Sequence, residues 1–312
     1  MTEQPEKSTL TDEKKLPKRI KRFAATYRSL AAVGSEPASE YLEHLVEFDG
    51  QGNITKEAKF FPDGKAEEIS SYEYNAAGKL TGHLLEYVPD ETSEKKVIER
   101  DGENRITKET KYYGEFAGEH TDYVYNADGL ITEVKSYDEE GDFSMREEII
   151  YDDKKQVASR ALYDKDGALN EKRVFAIAGD GLSVEEEIFD EKGTLKSSRT
   201  TKLNAESKET DVIEKTGQGK LVSATHSVYD GNGNLVERHF KDFYSKVLKY
   251  AYDEQNRCVS EELYDDHGTL LRRQIFEYDE EGRLVAEQNY EMDMTRGGRD
   301  KHQVLRYAYE YD

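Results

Sequence analysis

A five-residue word returns along most of this 312-residue chain: an aromatic, then Asp or Asn, two variable residues, and Gly or Asn. It stands at Phe48 (FDGQG), Tyr74 (YNAAG), Tyr125 (YNADG), Tyr137 (YDEEG) and Tyr163 (YDKDG). It stands again at Phe189 (FDEKG), Tyr229 (YDGNG), Tyr252 (YDEQN), Tyr264 (YDDHG) and Tyr278 (YDEEG). Weaker copies lie at Phe60 (FFPDG), Arg100 (RDGEN), Tyr151 (YDDKK) and Lys215 (KTGQG). They fall into two interleaved series, each stepping by 23 to 27 residues. A period of that size predicts a repeat array.

The word has a mechanical meaning. Asp at the first position of a type I turn and a left-handed Gly or Asn at the fourth close a three-residue hairpin loop with a G1 bulge. The aromatic before the Asp then faces the aliphatic residue after the turn, which predicts Tyr278 opposite Leu284, Tyr264 opposite Leu270 and Tyr229 opposite Leu235 as cross-strand pairs. The Asp and Gly are turn chemistry, not catalysis.

Between turns lie about eight alternating residues, the signature of a strand. Most spacings between turn aromatics are 12 or 14, which is expected to keep them on one face, with Glu, Lys and Arg on the other. The 13-residue steps around Tyr87 and Lys215 imply a bulge or a local slip. The fold class expected is all-β: a long curved antiparallel β-meander of about twenty strands built from YDxxGxL hairpin repeats, with a short N-terminal helical segment and the aromatic face concave.

Composition narrows the class. Hydrophobic residues are 35% of the chain, too few for a thick core, yet 22 Tyr and 11 Phe oppose disorder. A single Cys258 rules out a disulfide framework. No apolar run is long enough for a membrane helix or an export signal, which gives a cytoplasmic expectation. The net charge of -22 opposes nucleic acid as a partner.

The words YDEEGRL (Tyr278 to Leu284), YDGNGNL (Tyr229 to Leu235) and YNAAGKL (Tyr74 to Leu80) resemble the YD repeats of Rhs-type proteins, over residues 48 to about 290. That resemblance implies a coiled sheet of the kind that wraps into hollow shells around toxin cargo, with links to carbohydrate binding in some members. The stretch Phe60 to Gly82 is also similar, locally, to the short YxxG repeats of small bacterial antitoxin-like proteins.

Residues 1–40 differ in kind from the array at 41–312. Lys14, Lys15, Lys18, Arg19, Lys21, Arg22 and Arg28 form a basic run, while Ile20, Phe23, Tyr27, Leu30 and Ala31 recur at helical spacing. A basic amphipathic helix is expected there, either capping the first strand, docking on a partner or lipid surface, or forming a tail. A second irregularity is the insertion Met292 to Gln303, basic on an acidic array, before a last strand whose edge must be covered. The candidate partner-binding residues are therefore Lys18, Arg19, Lys21, Arg22, Phe23, Tyr27, Arg296, Arg299 and Lys301.

Local chemistry is sparse. The seven His are scattered, with no metal-ligand spacing, although His226 and His239 fall in neighbouring strands. Asp230, Asn232 and Asn234 imitate the start of a calcium loop that Leu235 and Lys241 do not continue. Cys258 reads as a structural thiol, and Gly217 to Lys220 as a hairpin loop. No catalytic, metal or cofactor residues are assigned. The expected function is a non-enzymatic protein-binding scaffold, an accessory of a larger or toxin-related assembly, with another protein as partner and a membrane disfavoured; the oligomeric state is open, with edge-strand pairing one route. The alternative is a carbohydrate-binding module that uses the Tyr rows.

Overall fold

The computed structural model describes residues 16–27, 40–292 and 301–311. They form one antiparallel sheet of 22 strands in chain order. The strands are β1 (Arg19–Tyr27), β2 (Tyr41–Phe48), β3 (Ile54–Phe60), β4 (Ala66–Tyr74), β5 (Leu80–Tyr87), β6 (Thr92–Arg100), β7 (Ile106–Tyr113) and β8 (Phe116–Tyr125). There follow β9 (Ile131–Tyr137), β10 (Phe143–Tyr151), β11 (Val157–Asp164), β12 (Leu169–Ile177), β13 (Ser183–Asp190), β14 (Leu195–Leu203) and β15 (Glu209–Thr216). The last are β16 (Leu221–Tyr229), β17 (Leu235–Lys241), β18 (Ser245–Tyr252), β19 (Cys258–Asp265), β20 (Leu270–Tyr278), β21 (Leu284–Glu291) and β22 (Lys301–Glu310). A single 3₁₀ turn at Val88–Asp90 is the one helical element among the described residues.

Each strand pairs with its sequence neighbours, and β1 pairs with both β2 and β22, from Arg19 opposite Glu310 to Tyr27 opposite His302. The sheet is therefore a closed barrel. This corrects two expectations. The meander is not open, because closure removes both edges, which twenty-odd strands would otherwise expose. The basic segment is not a helix over residues 19–27 but the closing strand. Its bases lie opposite acids of both neighbours: Arg19 Nε is 2.7 Å from Glu47, Arg22 Nε 2.8 Å from Glu43, and Lys21 bonds Glu310. Those pairings, available only once β2 and β22 flank it, override the helical spacing of Ile20, Phe23 and Tyr27. The last strand's edge is covered by β1 itself.

The turns follow the word. Asp279 N–H donates to Arg283 O and Gly282 N–H to Asp279 O, both at 3.0 Å, and Gly282 has φ +79°. Tyr278 faces Leu284, Tyr264 faces Leu270 and Tyr229 faces Leu235. Asn104 and Lys155 take the left-handed position in two weaker copies and Asn256 in the word at Tyr252, and Ser207 takes it in a further turn, LNAES (Leu203 to Ser207).

The single aromatic face does not survive. One residue after most turns is extra: Thr81 between the pairs Tyr74–Leu80 and Glu73–Gly82 is an example, with its hydroxyl donating to Glu73 O at 3.2 Å. A one-residue bulge turns an even spacing into a change of face. Tyr125 and Tyr137, twelve apart, thus lie on opposite faces, whereas Tyr74 and Tyr87, thirteen apart, share one.

The barrel has no packed core. Among the described residues no large side chain is fully buried, and the substantial strand contacts are all between sheet neighbours. The accessible area is 20962 Å², well above the roughly 13,300 Å² of a compact monomer of this mass. Twenty-two spacings of roughly 4.8 Å make a ring of about 105 Å circumference, so the walls enclose a lumen. The face carrying Tyr74, Tyr125 and Tyr278 is the inner one. It holds most of the buried strand residues, including Ile98, Ile149, Ser227, Leu248 and Leu305, and the wall concavities lie on it.

Candidate functional site

The two ends of the barrel differ. The turns after β2, β4, β6 and each later even strand gather at one rim, with the start of β1 and the end of β22; the other hairpins gather at the opposite, far rim. At the first rim, consecutive hairpins are bolted together. Tyr74 donates its hydroxyl to Ile54 O at 2.8 Å, Tyr125 to Ile106 O at 2.7 Å, Tyr278 to Cys258 O at 2.8 Å and Tyr309 to Leu284 O at 2.8 Å. Each acceptor belongs to the strand before, at a place where the ladder between the two strands has already ended. The tyrosine thus satisfies a carbonyl that the bulge leaves unpaired. The residue after the turn Gly or Asn adds a second bolt. Arg257 bonds Asp253 at 2.6 Å and lies 4.8 Å over the Tyr278 ring, and Arg105 lies 4.8 Å over Tyr125.

Further along the lumen runs a belt of charge. Tyr72, Tyr123 and Tyr307 donate to Glu57, Glu109 and Glu287 at 2.8, 3.2 and 3.2 Å. Burial, with the Glu109 charge beside it, pushes the Tyr123 hydroxyl up to about 12, so it stays a donor. Across β10, β11 and β12 the belt holds a groove of about 300 Å³ lined by Glu147, Arg160, Leu162, Glu171, Arg173 and Phe175. Arg160 pairs with Glu147 at 3.3 Å, and Arg173 with Glu171 at 2.9 Å and Glu186 at 3.3 Å. The groove offers both charge signs and an aromatic ring but no acid–base pair set apart by environment.

The far rim carries the exposed aromatics. Phe243 is 97% exposed, Phe116 81% and Tyr244 75%, all at hairpin tips. Phe61, Val88, Tyr113, Leu221 and Val222 are exposed at the same rim. The turns around Phe116 are acidic, with Glu115, Asp138, Glu139, Glu140 and Asp142, whereas the turn of Phe243 and Tyr244 holds Asp242 between Lys241 and Lys246.

The residues singled out from the sequence separate. Lys18 to Tyr27 lie in or beside β1, spent on the seam: Lys18 N–H donates to Glu310 O at 2.8 Å and Lys18 O accepts from Phe48 N–H at 2.9 Å, while Phe23 lies opposite Leu42 and Arg306. Lys301 lies opposite Glu291 at the far rim, and Arg296 and Arg299 lie outside the described residues. The sequence reading missed Phe116, Phe243 and Tyr244. Their signal was a departure: in YYGEF (Tyr112 to Phe116) and FKDFY (Phe240 to Tyr244) the place of the turn Gly is taken by Phe116 and by Tyr244, with Phe243 just before it. Burial raises the Cys258 thiol, which keeps it protonated, and its Sγ lies 3.4 Å from Ser260 O. Asp230 accepts from the Asn232 and Asn234 N–H groups at 2.9 and 2.8 Å, so its carboxylate caps a turn. No group of three metal-ligating side chains occurs among the described residues.

No family model matches the chain, and no curated protein does. Solved structures similar to it include TcdB2-TccC3 without its hypervariable C-terminal region, a YD-repeat toxin complex, at 13% identity and TM-score 0.34 over 79% of this chain and 15% of that one. They also include a porin-like protein from Bacteroides uniformis, at 10% identity and TM-score 0.34 over 94% and 96% of the two chains. A DUF1329 family protein from Desulfovibrio piger is similar at 10% identity and TM-score 0.21 over 96% and 87%. The chain thus spans under a sixth of the toxin complex chain.

The cytoplasmic expectation is corrected. It rested on the lack of an apolar helical stretch, and a closed 22-strand barrel overturns that ground, because a barrel is the architecture that can cross a membrane on strands alone. No helix among the described residues is long and apolar enough to cross a membrane, which says nothing of a barrel. The outer face carries charge in mid-strand, as in the pairs Arg146–Glu148 at 2.9 Å and Arg273–Glu262 at 3.0 Å. A lipid-facing Arg or Lys costs about 2–4 kcal/mol at a bilayer midplane.

Proposed function

We propose that the protein is a non-enzymatic binding barrel whose partner is another protein, engaged at the far rim. The observation that carries this reading is the set of exposed aromatic tips, Phe116 among acidic turns and Phe243 with Tyr244 between Lys241 and Lys246. Aromatics of this kind anchor interfaces, and the acidic surround of Phe116 favours basic charge in the partner beside the apolar contact made there. We read the chain as a YD-repeat protein of Rhs type on the words at Tyr74, Tyr229 and Tyr278, and as an accessory of a larger assembly. The test is capture of partners from the native host by the wild type and by the triple variant Phe116→Ser, Phe243→Ser, Tyr244→Ser. The reading expects at least one partner lost by the variant with its melting temperature unchanged; retention of every partner would overturn it.

A second reading is favoured by the Phe175 groove. An aromatic ring flanked by Arg160, Arg173, Glu147 and Glu171 offers a stacking surface and donors and acceptors for sugar hydroxyls. Binding on a glycan array that Phe175→Ala abolishes would support it, and an array with no signal would dismiss it.

A further inference from the structure

Across three strands of the outer wall a row of side chains has no part in the bolts, the belt or the rim. Asp211 on β15 lies directly opposite His226 on β16, and His226 lies directly opposite His239 on β17. The two imidazoles have centroids 6.2 Å apart and planes inclined by 42°. Each is held from behind by a carboxylate. His226 Nδ1 is 2.8 Å from Asp211 Oδ1, and His239 Nε2 is 3.0 Å from Glu237 Oε2. Glu237 is in turn held 3.0 Å from Lys249 Nζ.

A carboxylate on one ring nitrogen fixes the tautomer and leaves the other nitrogen as a lone-pair donor, the arrangement that orients histidines toward metal ions. Here the remaining nitrogens are Nε2 of His226 and Nδ1 of His239, for which no bond is seen among the described residues. We propose that His226 and His239 form a two-nitrogen site for a divalent ion of the copper, nickel and zinc group on the outer wall, with Asp211 and Glu237 as orienting carboxylates and solvent completing the coordination.

Dimensions support the fit. A metal–nitrogen bond of about 2.0–2.1 Å places the ion about 3.2 Å from each ring centroid, and a tetrahedral angle then sets the centroids about 5.2 Å apart. The rings must close by about 1 Å, which two exposed side chains reach by small χ rotations. The imidazole donors suit this group of ions better than calcium or magnesium, which prefer oxygen. With two protein ligands and open positions, the site is an exchangeable surface site, unlike a closed structural one.

Zinc titration of the full chain followed by calorimetry tests the assignment. One saturable equivalent is expected in the wild type, lost in His226→Ala and in His239→Ala and kept in His267→Ala, whose histidine stands on an exposed turn. Asp211→Asn is a positioning variant that removes no ligand, and it is expected to weaken binding by about tenfold or more. Magnetic resonance of the histidine rings in the unmodified protein supplies a second measurement: zinc is expected to shift the His226 and His239 signals together. Absence of a saturable equivalent in the wild type, unchanged binding by the two alanine variants, or zinc shifts confined to other histidines would each overturn the proposal.

Discussion

The Tyr278 hydroxyl donates to the Cys258 carbonyl 2.8 Å away, on a neighbouring hairpin twenty residues earlier in the chain. The same bond recurs from Tyr74, Tyr125, Tyr151, Tyr229 and Tyr252. At the corresponding place Arg100 donates its guanidinium to Leu80 O at 3.0 and 3.1 Å. The repeat aromatic therefore serves two strands at once: its ring packs on the aliphatic residue across its own turn and its hydroxyl closes the ladder of the strand behind.

Removing the hydroxyl separates these roles. Tyr278→Phe keeps the ring opposite Leu284 and leaves Cys258 O without its donor, so a loss of about 1–2 kcal/mol is expected in denaturant unfolding. Tyr264→Phe is expected to cost less, because the Tyr264 hydroxyl bonds the Glu262 side chain and no backbone carbonyl.

Two glycines are expected to fail for different reasons. At Gly282, φ is +79° and an added Cβ would lie 3.5 Å from Arg257, an ordinary contact, so only conformation opposes a side chain. Gly282→Val is expected to cost about 1 kcal/mol or more and Gly282→Asn much less. At Gly217 an added Cβ would stand 1.8 Å from Leu195 O, so even Gly217→Ala forces the backbone apart and is expected to lower the melting temperature more than Gly282→Asn does.

Acid is expected to open the turns. The backbone N–H four residues on holds the carboxyls of Asp190, Asp253, Asp265 and Asp279 below their ordinary value of 3.8. A depressed folded-state value means that this contribution is fully present above the unfolded value and is lost as pH falls through the folded one. Thermal stability is therefore expected to hold flat from pH 7 to about 5 and to fall below about 4. In the double variant Asp253→Asn, Asp279→Asn the fall is expected to be shallower. Asn75 and Asn204 already accept the same backbone bonds without a charge.

Charge reversal of the closing strand is expected to open the barrel. Lys18→Glu, Arg19→Glu, Lys21→Glu and Arg22→Glu together would set carboxylates against Glu43, Glu47 and Glu310. Loss of the strand signal in circular dichroism, or aggregation through the freed edges of β2 and β22, is the expected outcome. A folded monomer with an unchanged melting temperature would show that β1 contributes little to closure.

The turn words by themselves determined the all-β class, the hairpin loops, the left-handed positions at Gly282 and Asn256, and the pairing of Tyr278 with Leu284. These are contacts within a few residues, set by backbone sterics and by one Asp side chain. Three features were decided only by tertiary structure. The face of each aromatic depends on bulges such as Thr81, whose extra residue appears only when two strands are laid in register. The strand identity of Arg19–Tyr27 depends on acids of β2 and β22, up to 291 residues away along the chain, as for Arg19 and Glu310. Closure depends on the accumulated twist and coil of all 22 strands, which brings β22 back to β1 and which no local spacing encodes. The aromatic tips Phe116, Phe243 and Tyr244 were legible only as places where the word fails, since exposure at a rim is a property of the barrel and not of the pentapeptide.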